Sequence, residues 1–227
     1  MWAVLKKEFK SYFLTPIGYV FIGLFLAIFS LIFYITTIYQ GASTFQYVFG
    51  YVVMYGVVFL MPLLTMRMFA EERKNGTEQL LITSPRSMVE ITLGKFFAGV
   101  LVTVIAELLT FVYFGILCVF KTPDVPATLT AMFGFLLISM AYIAFGMFMS
   151  SLTENQIVAG VITIAAFILT WIAPTVTSGL ESLSLMAKFS SFLSGVFSIT
   201  QTIQMLLITT MFVILTMIVM KRRKLVK

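Results

Sequence analysis

The chain has 227 residues, 60% of them hydrophobic and only 11% charged, with 24 Phe, 15 Met and a mean hydropathy of +1.06. A soluble domain carries roughly 25% charged residues, so this composition excludes one and marks an integral membrane protein. A single cysteine, Cys118, and the absence of histidine exclude an internal disulfide, a His-based catalytic triad and a His or Cys metal site.

A helix needs about 20 mainly apolar residues to cross a bilayer, and the hydrophobic stretches predict an all-α membrane protein. Its six helices are expected over residues 17–38, 48–74, 87–120, 127–150, 156–177 and 203–221. A membrane β-barrel would alternate in polarity, and runs such as Val100-Leu101-Val102 and Phe135-Leu136-Leu137-Ile138 do not.

Residues 2–14 precede the first span. At helical spacing Trp2, Leu5, Phe9, Tyr12 and Phe13 share one face, with Lys6, Lys7 and Lys10 on its flank. That is the layout of an amphipathic helix in the headgroup plane, although an ordinary basic flank to the first span reads similarly. Acidic and aromatic residues interrupt the basic region and no small-residue cleavage site follows, so a signal peptide is not expected. Thr15-Pro16 then turns the chain into the first span, and Tyr34, Tyr39, Tyr47, Tyr51 and Tyr55 mark the outer interface.

Between the second and third spans, Arg67 to Glu90 carries eight of the 24 charged residues, so this is where a soluble partner would meet the protein. The second helix continues into it as far as Lys74. Asn75-Gly76 stops that helix, because both residues tolerate left-handed backbone. Thr77 then caps a short helix, Glu78 to Thr83, with Leu80, Leu81 and Ile82 apolar, and Ser84-Pro85 ends it. Ser87 and Glu90 form a capping box for the third span. The short helix could rest in the headgroups or act as a rigid knob in a groove of a cytoplasmic protein.

Glu107 lies 12 residues beyond Lys95, about 18 Å along a helix, near the bilayer centre. An ionised carboxylate there costs about 2.5–3.5 kcal/mol, so it is protonated, paired or facing water. It reads equally as a polar point in a transport path or a switch between helices, and as a protonated carboxyl bonded to Thr103 one turn back or to a neighbouring helix. Gly146 with Ser150 is a small-residue pair that brings helices close. Pro174 predicts a kink. The stretch 178–201 mixes Leu180, Leu183, Leu185, Phe189, Phe192 and Leu193 with many serines and does not form a clean span. Met211 and Met217, set among hydrophobes, read as lipid-facing or core residues, not as a Cu(I) site.

The basic residues orient the chain. Thirteen of 15 Lys and Arg fall on one side, leaving Lys121 and Lys188 on the other, so the positive-inside bias places both termini in the cytoplasm. This bias also accounts for the net charge of +6 without nucleic-acid binding. No phosphate-binding loop ending in Gly-Lys-Ser or Gly-Lys-Thr occurs, so ATP hydrolysis by that route is excluded.

The string Arg67, Phe69-Ala70-Glu71-Glu72-Arg73, Gly76-Thr77-Glu78, Leu80-Leu81, Thr83-Ser84-Pro85 and Gly94-Lys95 resembles the signature of ABC-2 type ABC transporter permeases. The six helices, the cytoplasmic ends and the leader from Leu5 to Gly18 agree with it, and the similarity is nearest to the short permeases grouped with gliding-motility and copper-enzyme-maturation transporters. The resemblance implies a permease subunit of an ATP-driven transporter, an exporter of the plasma membrane, working with a second permease in a homodimer or heterodimer. ATP and Mg would bind on separate ABC ATPase subunits, with no cofactor on this chain.

Residues 2–14 would then be the interfacial connecting helix, 77–83 the coupling helix, and 178–201 an extracellular hairpin over the dimer's mouth. The ATPase-coupling residues would be Glu71, Arg73, Gly76, Thr77, Glu78, Leu80, Leu81, Ser84 and Pro85, joined by Thr153 and Glu154 from the loop between helices 4 and 5. The apolar interior suits a lipid-like or peptide substrate. It suits equally a membrane scaffold or regulatory subunit that anchors an ATPase and moves nothing. An independent secondary transporter fits poorly, for want of inverted repeats or a second mid-membrane charge.

Overall fold

The leader and first span meet at a corner too tight for any side chain. In the computed structural model, which describes residues 1–41, 44–79, 86–120, 122–172 and 184–223 in full and 173–176 and 224–226 by their helical backbone, α1 (Trp2–Leu14) ends at Thr15 in extended backbone. The Thr15 hydroxyl donates to the Ser11 carbonyl at 2.9 Å. Helix α2 (Ile17–Phe33) follows, and a Cβ on Gly18 would lie 2.6 Å from the Tyr12 carbonyl oxygen. Leu5 and Tyr12 are buried while Trp2 is exposed. The apolar face of α1 is thus divided between protein and membrane surface; its protein side rests on Gly94, where a Cβ would be 2.8 Å from Val4.

On α2 the residues Phe21, Phe25 and Phe29 are fully buried at four-residue spacing, the stripe that a 3.6-residue period turns to one side. Phe29 meets Phe45 and Phe49 at ring-centroid distances of 5.8 and 5.3 Å. The span finishes in a π-helical turn, Tyr34–Ile38. The second span is built from α3 (Gln46–Val52), a π turn (Val53–Val57) and α4 (Val58–Thr65). Pro62 inside α4 lacks the N–H that would bond the Val58 carbonyl, and the helix is widened in the turn just before it.

The predicted continuous helix 48–74 is broken. Residues 66–69 form a turn before α5 (Ala70–Lys74), and the freed backbone groups are taken up by one side chain from elsewhere. The Ser150 hydroxyl accepts from the N–H of Phe69 (3.0 Å) and Ala70 (3.1 Å) and donates to the Met66 carbonyl (2.9 Å). Beside it, a Cβ on Gly146 would overlap the Thr65 side chain. The sequence pattern could not reveal the break, because the residue that stabilises it lies about 80 positions away.

Helix α6 (Met88–Leu109) starts at Ser87, whose hydroxyl accepts from the Glu90 N–H at 3.2 Å. The reciprocal half of the expected capping box is replaced: the Glu90 carboxylate pairs with the Met1 ammonium at 3.0 Å and with Arg86 at 3.6 Å. A turn at Thr110, whose hydroxyl donates to the Glu107 carbonyl at 2.6 Å, separates α6 from α7 (Phe111–Phe120). The third span is therefore two helices rather than one. Helix α8 (Val125–Leu152) is capped by Asp124, and α9 (Gln156–Val176), α10 (Leu185–Leu193) and α11 (Ile199–Val226) complete the chain.

Every regular element among the described residues is helical. Five stretches are long and apolar enough to cross a membrane, Ile17–Ile38, Gln46–Lys74, Met88–Phe120, Val125–Leu152 and Ile199–Arg223, and Gln156–Ile172 is a shorter apolar helix. Leu80, Leu81, Ile82, Thr83, Ser84, Pro85, Lys121, residues 178–183, Lys227 and the side chains of Pro174 and Lys224 lie outside the described residues.

Helix α8 is the hub, packed on α3, α4, α6, α9, α10 and α11 and presenting small buried residues, among them Gly134, Ala141, Ala144 and Gly146. At its N-terminal half, α10 is seated close against two glycines. A Cβ on Gly134 would stand 2.6 Å from Phe192, and one on Gly50 would stand 2.7 Å from Leu193. Lys188, expected on the outer side, is buried within α10.

The lock between the second and fourth spans is testable by substitution. Gly146→Val overpacks Thr65 at a cost of roughly 1–3 kcal/mol, and Ser150→Ala strands two backbone donors at about 1–3 kcal/mol. Both should lower the thermal unfolding midpoint of the protein in detergent; unchanged midpoints would contradict the lock.

Candidate functional site

Helix α5 turns three consecutive charges in three directions. Glu71 receives a two-pronged bond from the Arg67 guanidinium, at 2.7 and 3.1 Å, one helical turn back. Glu72 reaches the Lys95 ammonium of α6 at 2.7 Å, and the same ammonium bonds Glu8 of α1 at 3.1 Å. Arg73 donates to the Ser151 carbonyl at the end of α8, at 2.7 Å. Three charges thus tie α5 to its own preceding turn, to the α1–α6 pair and to α8.

Lys95 is only 3% exposed and stands 5.4 Å from the centre of the Phe69 ring. A buried cation is tolerated when opposite charge and hydrogen bonds replace its water, and Glu8 and Glu72 supply both. Tyr12 reinforces the junction by donating to the Leu64 carbonyl at 3.3 Å. Burial, with Glu8 nearby, raises the phenol's pKa and keeps it in the donor form. Lys7, Tyr12, Arg67, Glu71 and Lys95 line a cavity of about 620 Å³ between α1 and α5.

Beyond α5 the chain reverses at Gly76, whose φ of 70° lies in the left-handed region that glycine adopts without strain. Thr77 donates to the Glu72 carbonyl at 3.1 Å. Glu78 comes next and is buried. Its Oε1 lies 3.5 Å from Arg73 Nε and 3.3 Å from Arg223 Nη1 of α11. On the connection between α8 and α9, the Thr153 hydroxyl accepts from the Asn155 N–H at 3.1 Å, and Asn155 Oδ1 accepts from the Ile157 N–H at 2.9 Å. The two connections meet: Arg73, Glu78, Thr153, Glu154 and Arg223 share the walls of a cavity of about 510 Å³.

The residues expected to couple to an ATPase are therefore distributed unevenly. Arg73, Glu78, Thr153 and Glu154 stand together, and Glu71, Gly76 and Thr77 belong to the adjoining turn and helix. Leu80, Leu81, Ser84 and Pro85 lie outside the described residues. Glu107 belongs to none of this and is buried far along α6. The Thr103 hydroxyl proposed as its partner donates to the Gly99 carbonyl at 3.1 Å.

Sequence reasoning did not identify the ties made by Glu8, Ser151 and Arg223, and it read Lys95 only as a motif position and a topogenic charge. The pairs Arg73–Ser151, Glu8–Lys95 and Glu78–Arg223 span 78, 87 and 145 residues, beyond any spacing rule. Among the described residues no group of three or more carboxylate or thiol ligands could hold a metal ion. Among the described residues the arrangement is a set of charged ties joining α1, α5, α6, α8 and α11.

No curated protein matches the chain. A family model described as ABC-2 family transporter protein matches residues 9–220, a range that begins within α1 and ends within α11. The chain belongs to this ABC-2 family, as a membrane permease subunit of an ABC transporter.

Proposed function

We propose that this permease is the membrane half of an exporter in the plasma membrane, driven by separate ABC ATPase subunits through the segment that begins at Glu78. The observation that carries this reading is the meeting of the two cytoplasmic connections around one cavity, lined by Arg73 and Glu78 from one and Thr153 and Glu154 from the other. A soluble partner docked there touches both connections at once. ATP and Mg bind on that partner, and Leu80 and Leu81 are the apolar residues that contact it.

In this arrangement both termini are cytoplasmic and α9 supplies the sixth crossing. A second permease, identical or related, completes the path for a lipid-like or peptide substrate. Membrane lipids cover the remaining apolar faces, including Leu24 and Leu31 of α2 and Leu207 and Ile214 of α11, all exposed on the single chain. Glu107, buried in the third span next to the turn at Thr110, is the polar point of the path or of the switch that opens it.

Two experiments test the proposal. Replacing Glu78, Leu80 and Leu81 together by serine should abolish substrate-stimulated ATP hydrolysis of the reconstituted complex, with the permease still present in the membrane; persistent stimulation would remove the segment from coupling. Glu107→Gln keeps the shape but cannot ionise, and it should slow transport by about tenfold or more, the factor that roughly 1.4 kcal/mol carries, with assembly intact. Transport at the unsubstituted rate would take Glu107 out of the mechanism.

A further inference from the structure

Arg223 is one of several cations that end the last helix, where a positive-inside bias alone would put them. The structure gives it a specific partner. Its Nη1 lies 3.3 Å from Oε1 of Glu78, across 145 residues of sequence. Arg73 approaches the same oxygen at 3.5 Å from the opposite strand of the connection, while its own terminal nitrogen is spent on the Ser151 carbonyl at 2.7 Å. One buried carboxylate is thus held between the extension of the second span, the end of α8 and the end of α11.

The consequence lies in what is otherwise connected. The segment starting at Glu78 is joined covalently to α5, so any push on it reaches the second span without further help. No such link joins it to α11, which packs along α8. Glu78 is the bridge, and its burial makes loss of a cationic partner costly, because a desolvated carboxylate is left with less compensation. Arg222, one residue earlier, is exposed and carries the same charge without this geometry.

We infer that Arg223 is a positioning residue: it ties Glu78, just past the turn that follows α5, to the end of α11, so that displacement of Glu78 moves the α8–α11 pair as well as the second span. The inference rests on the coupling role proposed above. Without Arg223 a displacement of Glu78 no longer reaches α11, and the outer end of that helix does not follow.

The test uses the complex of the full chain with its ATPase in nanodiscs. Spin labels are placed at Tyr39 and Ile203, both exposed, and the distance between them is measured before and after trapping with ATP and vanadate. In Arg223→Glu the distance change should fall about fivefold or more, the factor that roughly 1 kcal/mol carries. Arg223→Lys should retain the change, and Arg222→Glu, with the identical change in net charge, should behave as the unsubstituted protein. Arg223→Gln provides the same reading if the reversed charge prevents membrane insertion.

Full movement in Arg223→Glu, an equal loss in Arg222→Glu, or release of the ATPase by Arg223→Glu would each overturn the inference. A complex that is unsubstituted and shows no ATP-dependent movement would instead sink the coupling reading beneath it.

Discussion

A helix that breaks at the edge of a membrane must find new partners for the backbone groups it frees, because hydrocarbon offers none. In the second span this is done by the Ser150 hydroxyl, which accepts from Phe69 and Ala70 and donates to Met66. The charged cluster at this end of the bundle depends on this substitution. It allows the chain to leave the axis of α4 and restart as α5, which points Glu71, Glu72 and Arg73 at separate neighbours. Were the span continuous, those charges would follow the α4 axis instead of the network seen here.

Close approach makes that geometry available. Between helices in a bilayer the hydrophobic effect contributes little, so van der Waals contact and interhelical hydrogen bonds carry association. Helix α8 is built for such contact. Gly146 lets Thr65 lie directly against the helix, and Gly134 does the same for Phe192 of α10. Ser150 and Ser151 lie one turn beyond Gly146 and provide the polar contacts to the broken span and to Arg73. The hub of the apolar bundle and the anchor of the charged cluster are therefore the same helix.

Much of this was legible in the residues. Hydropathy located the apolar stretches, Gly76 announced the chain reversal that its positive φ now shows, and Ser87 announced the start of the third span. Gly146 with Ser150 was legible as a place of close packing, but not as the cap of another helix's break. The breaks themselves, at residues 66–69 and at Thr110, were hidden, since a hydrophobicity pattern averages over a turn and registers only the apolar face. The charged ties were hidden for a different reason. Lys95 with Glu8 and Arg223 with Glu78 are long-range pairs, and in a single sequence a lysine or arginine at a membrane edge has topology as its sufficient explanation.

The central claim is that the cavity between Glu78 and Glu154 faces an ATPase. Site-specific photocrosslinking in the native membrane tests it most directly, with a photoreactive residue placed in turn at Gln79, Glu154 and Tyr39, all exposed on the single chain. The account predicts crosslinks to an ATPase subunit from Gln79 and Glu154 and none from Tyr39 on the outer side. Absence of an ATPase crosslink from both cytoplasmic positions, or its appearance from Tyr39, would contradict it.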